Sequence, residues 1–192
     1  MDLVQPFIKL ICEGKATEPH YFVGYLHSRG FRLPNMVYQP KDHSPMGISR
    51  EALAQYKEAR KLKIPPNNIL IAAIFDRDLH PGVSNAIEML RESPIITAFS
   101  NICFEYWILL HFETTTRPFR NCDEIISFIR ENHDPDYGKS RDHFTRLKDR
   151  IPTAIRNATQ ITENRWNHDD RPIWEINPYT DVFKLLEKLD TI

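Results

Sequence analysis

The sequence predicts an α/β fold with a central, mostly parallel sheet flanked by helices, followed by a helical C-terminal elaboration. Short apolar runs end abruptly in acid: Phe7–Cys12 runs into Glu13, and residues 69–75 run into Asp76. Such runs are the pattern of strands buried on both faces, which lack polar alternation. Stretches of helical apolar spacing lie between them, and strands alternating with helices imply a parallel sheet with right-handed crossovers. Helical spacing dominates the second half. The expected organisation is an α/β core over 1–115 and a helical elaboration over 116–192, packed together as one compact unit.

After the first strand, Thr17 is placed to cap a helix that carries Glu18 and Pro19 in its first turn, where proline loses no amide hydrogen bond. Tyr21, Phe22, Tyr25 and Leu26 form its inward stripe. A weaker strand is expected over 35–39. A helix over 49–63, with Leu53, Tyr56 and Ala59 on one side, is stopped by Pro65-Pro66-Asn67-Asn68 before the next strand. A helix over 83–91 and a strand over 95–99 follow, entered through Pro94. Phe104, Trp107, Ile108 and His111 fit a helix over 102–111, and another is expected over 123–131. A polar turn over 133–138 leads to a longer helix, 141–162, that Pro152 kinks or breaks. Residues 163–177 hold four acids, two arginines and two tryptophans without a clear period and read as a surface loop. Asn177-Pro178-Tyr179-Thr180 then starts a last helix, with Val182, Leu185, Leu186 and Leu189 inward.

Composition narrows the function classes. At 192 residues the chain can fill one core, and a formal net charge of −1 argues against binding nucleic acid by bulk basicity. Any polyanion site must be local. No apolar run approaches the roughly 20 residues that span a bilayer, and residues 1–5 lack a basic leader region, so no membrane association and a cytoplasmic location are expected. Cys12, Cys103 and Cys122 are odd in number and lack pair spacing. They indicate neither a disulfide framework nor a zinc site, and read as core cysteines.

Ligands gather at the carboxyl edge of a parallel sheet, where Glu13, Asp76 and Asp78 are expected to meet. Three clustered carboxylates repel unless a cation sits between them, and oxygen ligands suit Mg²⁺ or Mn²⁺. Gly14 permits close backbone approach beside them. Glu18 is either a base or metal ligand or a helix-first-turn acid favoured by the dipole. Lys15 either steadies a phosphate or is a solvated turn lysine. Glu105, among Phe104, Trp107 and Leu109, needs a partner or a purpose and is assigned to the site, the alternative being a glutamate on the helix's outer face. Ser100 and Asn101 fall on the same edge as substrate contacts or helix caps. His111 is an acid–base candidate or a core histidine, and His80 follows the acidic loop. Lys139 and Arg141, beside Gly138, are phosphate contacts or solvated loop cations.

The segments Glu13-Gly14-Lys15-Ala16-Thr17-Glu18-Pro19-His20-Tyr21-Phe22, Phe75-Asp76-Arg77-Asp78 and Ser100-Asn101-Ile102-Cys103-Phe104-Glu105-Tyr106-Trp107-Ile108-Leu109-Leu110-His111-Phe112 resemble the ordered motifs of the RloB family. Tyr137-Gly138-Lys139, Ala154, Ala158 and Asn177-Pro178-Tyr179-Thr180 are similar too, so the resemblance spans nearly the whole chain. Ala16 departs from the charged or bulkier residue of many relatives. The resemblance implies membership of the Toprim superfamily, whose members share a glutamate after the first strand and an Asp-x-Asp after a later one. It further implies a Toprim-like fold and a role in prokaryotic anti-phage defence and abortive infection, beside an AAA- or ABC-type ATPase or a CRISPR-system partner. The function expected is an Mg²⁺- or Mn²⁺-dependent nuclease acting on RNA in preference to DNA. Glu13, Asp76, Asp78, Glu105 and Glu18 are its catalytic set, Glu13, Asp76 and Asp78 its metal ligands, and Lys15, Ser100, Asn101, His111 and Lys139 its substrate contacts. The alternative is a non-catalytic Toprim-derived sensor of nucleotides or nucleic acid working with an ATPase. Homo-oligomerisation stays open.

Overall fold

The computed structural model describes the whole chain except residues 1–5, 33, 35, 79 and 140. Among the described residues the sheet has five strands, in the order β2-β1-β3-β4-β5. β1 (Phe7–Cys12) leads through α1 (Thr17–Ser28) to β2 (Val37–Tyr38), and α2 (Pro45–Lys61) crosses back to β3 (Ile69–Asp76). α3 (Val83–Leu90) joins β3 to β4 (Ile96–Asn101). These four strands are parallel, whereas β5 (Tyr179–Thr180) pairs antiparallel with β4. The arrangement is consistent with the Toprim-like α/β core expected. The remaining helices are α4 (Glu105–Leu109), α5 (Cys122–Asn132), α6 (Phe144–Leu147), α7 (Ile151–Asn164) and α8 (Val182–Leu189). Among the described residues no helix is long and apolar enough to cross a membrane.

The chain winds outward from β1 to β2 and then back over β1 to β3. With right-handed crossovers this reversal sends α1 and α2 to opposite faces and opens a crevice beyond the carboxyl ends of β1 and β3. The central strands are apolar because both faces are covered: Leu70 to Phe75 of β3 are all buried. α1 lays Tyr21, Phe22, Tyr25 and Leu26 inward as its spacing predicts. Tyr21 meets Phe104, Trp107 and Phe144 edge-on, at centroid distances of 5.6, 6.4 and 5.7 Å.

Several boundaries differ from the sequence reading, each for a local reason. The second helix starts at Pro45 because Ser44 caps it, its hydroxyl accepting from Gly47 N at 3.1 Å. Ser49, the expected start, instead turns its hydroxyl back to the Pro45 carbonyl at 2.9 Å. Thr17 is the first helical residue, not the cap. The 35–39 strand is reduced to Val37–Tyr38, with Asn35 outside the described residues. The helix around Trp107 is confined to Glu105–Leu109. The 141–162 helix divides into α6, a 3₁₀ turn and α7, with Pro152 in the first turn of α7, where proline is tolerated. Residues 163–177 are no simple surface loop, since two 3₁₀ turns fold there and Trp166 and Ile176 are buried. Asn177-Pro178-Tyr179-Thr180 supplies β5 instead of a helix start. Its pairing extends β4 to Asn101, so Ser100 and Asn101 belong to the strand.

His111 is fully buried, with Nε2 3.0 Å from the Tyr21 hydroxyl and Nδ1 3.0 Å from the Trp107 carbonyl. It is a core residue with both ring nitrogens engaged and makes no substrate contact. Burial lowers its pKa to about 4. The imidazole is therefore neutral in the folded state, and its contribution to stability is lost as pH falls from the ordinary histidine range toward 4. We expect His111→Ala to cost about 2–4 kcal/mol, from the cavity and the stranded Tyr21 hydroxyl, and to remove that acid-side slope. Urea melts between pH 4 and 7 measure both; a variant as stable as the parent would contradict the assignment.

Candidate functional site

At the carboxyl edge of β1 and β3 a cleft of about 400 Å³ is lined by the carboxylates Glu13, Glu18, Asp76, Asp78 and Glu105, with Lys15 and Lys139 beside them. Register puts the first acids there. Cys12 pairs with Ile74, so the next residue, Glu13, donates its N–H to the Ile74 carbonyl at 2.9 Å. Its carboxylate returns across the strand gap, Oε2 accepting from Asp76 N at 2.8 Å. Asp76 ends β3, and its Oδ2 accepts from Phe104 N at 3.0 Å. Asp78 has φ +28°, a conformation that aspartate tolerates better than most residues, and its N–H reaches the Ile102 carbonyl at 3.2 Å.

Glu18 is buried in the first turn of α1, where Gly14 N–H donates to its Oε1 at 3.1 Å. A Cβ at Gly14 would collide with this carboxylate, so a larger residue there would displace the Glu18 carboxyl from its place. Glu105, 1% exposed, is held on several sides. Lys139 Nζ lies 3.5 Å from its Oε2, and the Tyr137 hydroxyl donates to its Oε1 at 3.4 Å. The Thr17 hydroxyl sits 3.3 Å from Glu105 Oε1 and 3.1 Å from the Lys139 carbonyl, within reach of either. Glu105 thus has its partner: it anchors the one lysine whose chain passes into the cleft from the 137–139 turn.

Burial dominates the electrostatics, with charge repulsion adding to it. Asp76 is raised well above the carboxylate range by desolvation and by Glu18, Glu105 and Glu13. Glu18 is pushed up to about 7 by burial and then by Glu105 and Glu13. Burial also raises Glu13 and Glu105, the latter opposed by Lys139. Burial pulls Lys139 down, but Glu105, Asp76, Asp78 and Glu18 together leave it raised. Such a donor set, all hard oxygen and short of positive charge, is of the kind that suits Mg²⁺ or Mn²⁺, but among the described residues no three of these carboxylates bring oxygens within 4.8 Å of one another, so sharing one ion requires the side chains to draw together. The oxygens are nevertheless engaged: Glu13 Oε1 lies 2.9 Å from His80 Nε2, so an ion there takes the remaining lone pairs or displaces His80.

Among the described residues, one trio of ligand atoms lies within 4.8 Å of one another: Cys103, Glu105 and Cys122. Its sulfurs belong to a disulfide joining Cys103 and Cys122, whose Cα atoms are 5.8 Å apart. Bonded to each other, they offer no thiolate and Cys122 no S–H, so its 3.0 Å approach to Glu105 Oε2 is a packing contact, and metal holding there requires the reduced pair. The disulfide corrects the reading of Cys103 and Cys122 as core thiols, while Cys12 is a buried free cysteine as expected: 19 positions separate the pair in sequence, and the docking of α5 beside α4 brings them together.

Of the other expected contacts, Lys15 stays at the cleft, whereas Ser100 and Asn101 lie elsewhere. Lys15 is exposed on the cleft rim. Ser100 is buried, its hydroxyl 3.1 Å from Thr180 Oγ1. Asn101 donates to the Trp174 and Ile176 carbonyls at 3.1 and 2.7 Å and faces a neighbouring cavity. Gln39 and His43, which the sequence reading passed over, line the cleft from beyond the end of β2; the carboxyl-edge rule that located Glu13 would have found them.

Raised carboxyl pKa values make stability depend on pH with a definite sign. Between the unfolded value and about 7 the folded protein holds the Glu18 proton and the unfolded chain does not, so Glu18 destabilises the fold as pH rises through that window. The full shift corresponds to roughly 3 kcal/mol. Glu18→Gln, which keeps an oxygen for Gly14 N–H, is therefore expected to match the parent near pH 4.5 and exceed it by roughly 3 kcal/mol at pH 7 and above in EDTA. Taking the difference between parent and variant cancels the opposite slope of His111. A pH-independent difference in urea melts would show that Glu18 is not the titrating group.

Comparison with curated proteins and with solved structures found no match to this chain. The family model described as RloB-like protein matches residues 8–189, and with its ordered acids gathered at one sheet edge the chain belongs to the RloB-like family.

Proposed function

We propose that the protein is a metal-dependent nuclease of the Toprim type that cleaves phosphodiesters. The observation that carries the reading is the gathering of Glu13, Glu18, Asp76, Asp78 and Glu105 on one cleft, where burial penalises the charge of Glu13, Glu18, Asp76 and Glu105. Removing that penalty calls for a divalent cation, and a phosphodiester is a substrate whose own oxygens complete such an ion's coordination.

In this reading Glu13, Asp76 and Asp78 would hold one or two Mg²⁺ or Mn²⁺ ions, which when bound would supply Lewis acidity to a water and to the phosphoryl and leaving oxygens. Glu18, with its pKa near 7, accepts the proton that the attacking water loses. Lys139, steadied by Glu105, supplies positive charge to the phosphoryl oxygens as charge builds there. RNA is preferred to DNA because defence proteins of this type can act by disabling translation. The setting in anti-phage defence, with an AAA- or ABC-type ATPase or a CRISPR-system partner, rests on the same family resemblance.

End-labelled RNA and DNA incubated with purified protein in Mg²⁺, Mn²⁺ or EDTA test the reading, with the ATPase encoded beside it added where one exists. We expect cleavage with metal and none in EDTA, and a loss of at least about a hundredfold, ~3 kcal/mol of transition-state stabilisation, in Asp76→Asn and Glu13→Gln. Both variants should fold, since removing one acid from a repelling cluster relieves the others. Intact substrate under every condition, or full activity in both variants, would overturn the assignment.

A further inference from the structure

A second cavity, of about 1000 Å³, adjoins the acidic cleft and shares Asp78 with it. His80 lines this cavity while its Nε2 reaches Glu13 of the cleft at 2.9 Å, so the two spaces meet at the Asp78–His80 rim. Trp174 stands in the cavity wall, partly buried. Its ring makes no ring contact with any aromatic side chain among the described residues, unlike Trp107 and Trp166, which are buried against Tyr21 and Tyr179. Its backbone is tied down from two strands: the Trp174 carbonyl accepts from Arg77 Nε at 2.7 Å and from Asn101 Nδ2 at 3.1 Å. The indole is therefore a partly open aromatic face on a fixed mount, beside the Asp76-Arg77-Asp78 turn to which the Trp174 carbonyl is hydrogen-bonded.

The charge of the wall says what such a face is for. Arg77 and Arg120 are countered by Asp78, Asp123 and Glu175, so the cavity is no phosphate track. It suits a neutral heteroaromatic ring that stacks on indole and offers N–H groups to carboxylates, which is the chemistry of a nucleobase.

We infer that this cavity seats one unstacked nucleobase of a single-stranded nucleic acid on Trp174, with the adjoining phosphate over the acidic cleft. The position of the phosphate rests on the nuclease reading; seating of the base does not. A duplex presents no free base face, so single strands are selected.

Intrinsic fluorescence tests this in EDTA, where no cleavage is needed. The chain has three tryptophans, and Trp174 is the accessible one, the others being 0% and 6% exposed. Adenosine 5′-monophosphate and a single-stranded hexanucleotide should quench the emission, while ribose 5-phosphate and a blunt duplex of the same sequence should not. Trp174→Leu, which keeps apolar packing, and Trp174→Ala should each weaken hexanucleotide binding roughly 10- to 100-fold, with Trp174→Phe nearer the parent. Melting curves confirm folding, and the leucine variant decides if alanine unfolds. Quenching by ribose 5-phosphate equal to that by the nucleotide, or parental affinity in a folded Trp174→Leu, would overturn the base site. Parental cleavage with unchanged KM in that variant would also remove it and leave the nuclease standing; binding without cleavage in any metal would do the reverse.

Discussion

The six residues of β1 run in parallel register against β3, and the acidic edge hangs from the place where that pairing stops. Because side chains alternate along a strand, a slip of one residue would turn Glu13 away from Asp76. Glu13 is held at the end of that register twice, by its own N–H on the Ile74 carbonyl and by its carboxylate on the Asp76 N–H. The same backbone bonds that complete the sheet therefore aim the acids. Stability of the core and geometry of the cleft are consequences of one set of pairings.

That arrangement has an electrostatic cost, which the fold spreads over distant segments. Burial raises both Glu18 and Asp76, and neighbouring carboxylates add to it: Glu105 and Glu13 act on Glu18, and Glu18, Glu105 and Glu13 on Asp76. The compensating cation, Lys139, comes from a turn more than a hundred residues beyond Thr17, whose hydroxyl meets both the Lys139 carbonyl and Glu105. The 137–139 turn is accordingly more than a connector between α5 and α6. It closes one side of the cleft and sets the charge balance there, so a change in that turn is felt by carboxylates that it never adjoins in sequence.

The C-terminal part contributes to the sheet as well as to the helical layer. β5 pairs with the end of β4, and the Asp181 carboxylate accepts the Phe99 N–H at 2.6 Å. Through Asn101 and Arg77, the 3₁₀ turn bearing Trp174 is bound to the ends of β4 and β3. The edge that carries the acids is thus bordered by chain from both halves of the sequence, and the two cavities that meet there have walls of different origin: α1 and the strand ends for one, the loops around α5 and Trp174 for the other.

What the sequence by itself determined was local and periodic. Buried parallel strands leave unbroken apolar runs, so β1 and β3 were legible, and with them the acids that follow; the inward stripe of α1 and the break at Pro152 were equally plain. Tertiary structure decided the rest. A two-residue strand such as β5 has no period to read, and its pairing with β4 moved Ser100 and Asn101 from a helix cap into the sheet. His111 became a core residue because Tyr21, 90 positions away, meets its ring. Glu105 was visibly out of place among aromatics, but its reason, Lys139, lay 34 residues on, and the Cys103–Cys122 bond depends on how α5 docks. Short-range spacing records what each segment buries; which charged and sulfur-bearing groups then face one another depends on the packing of segments far apart in the chain.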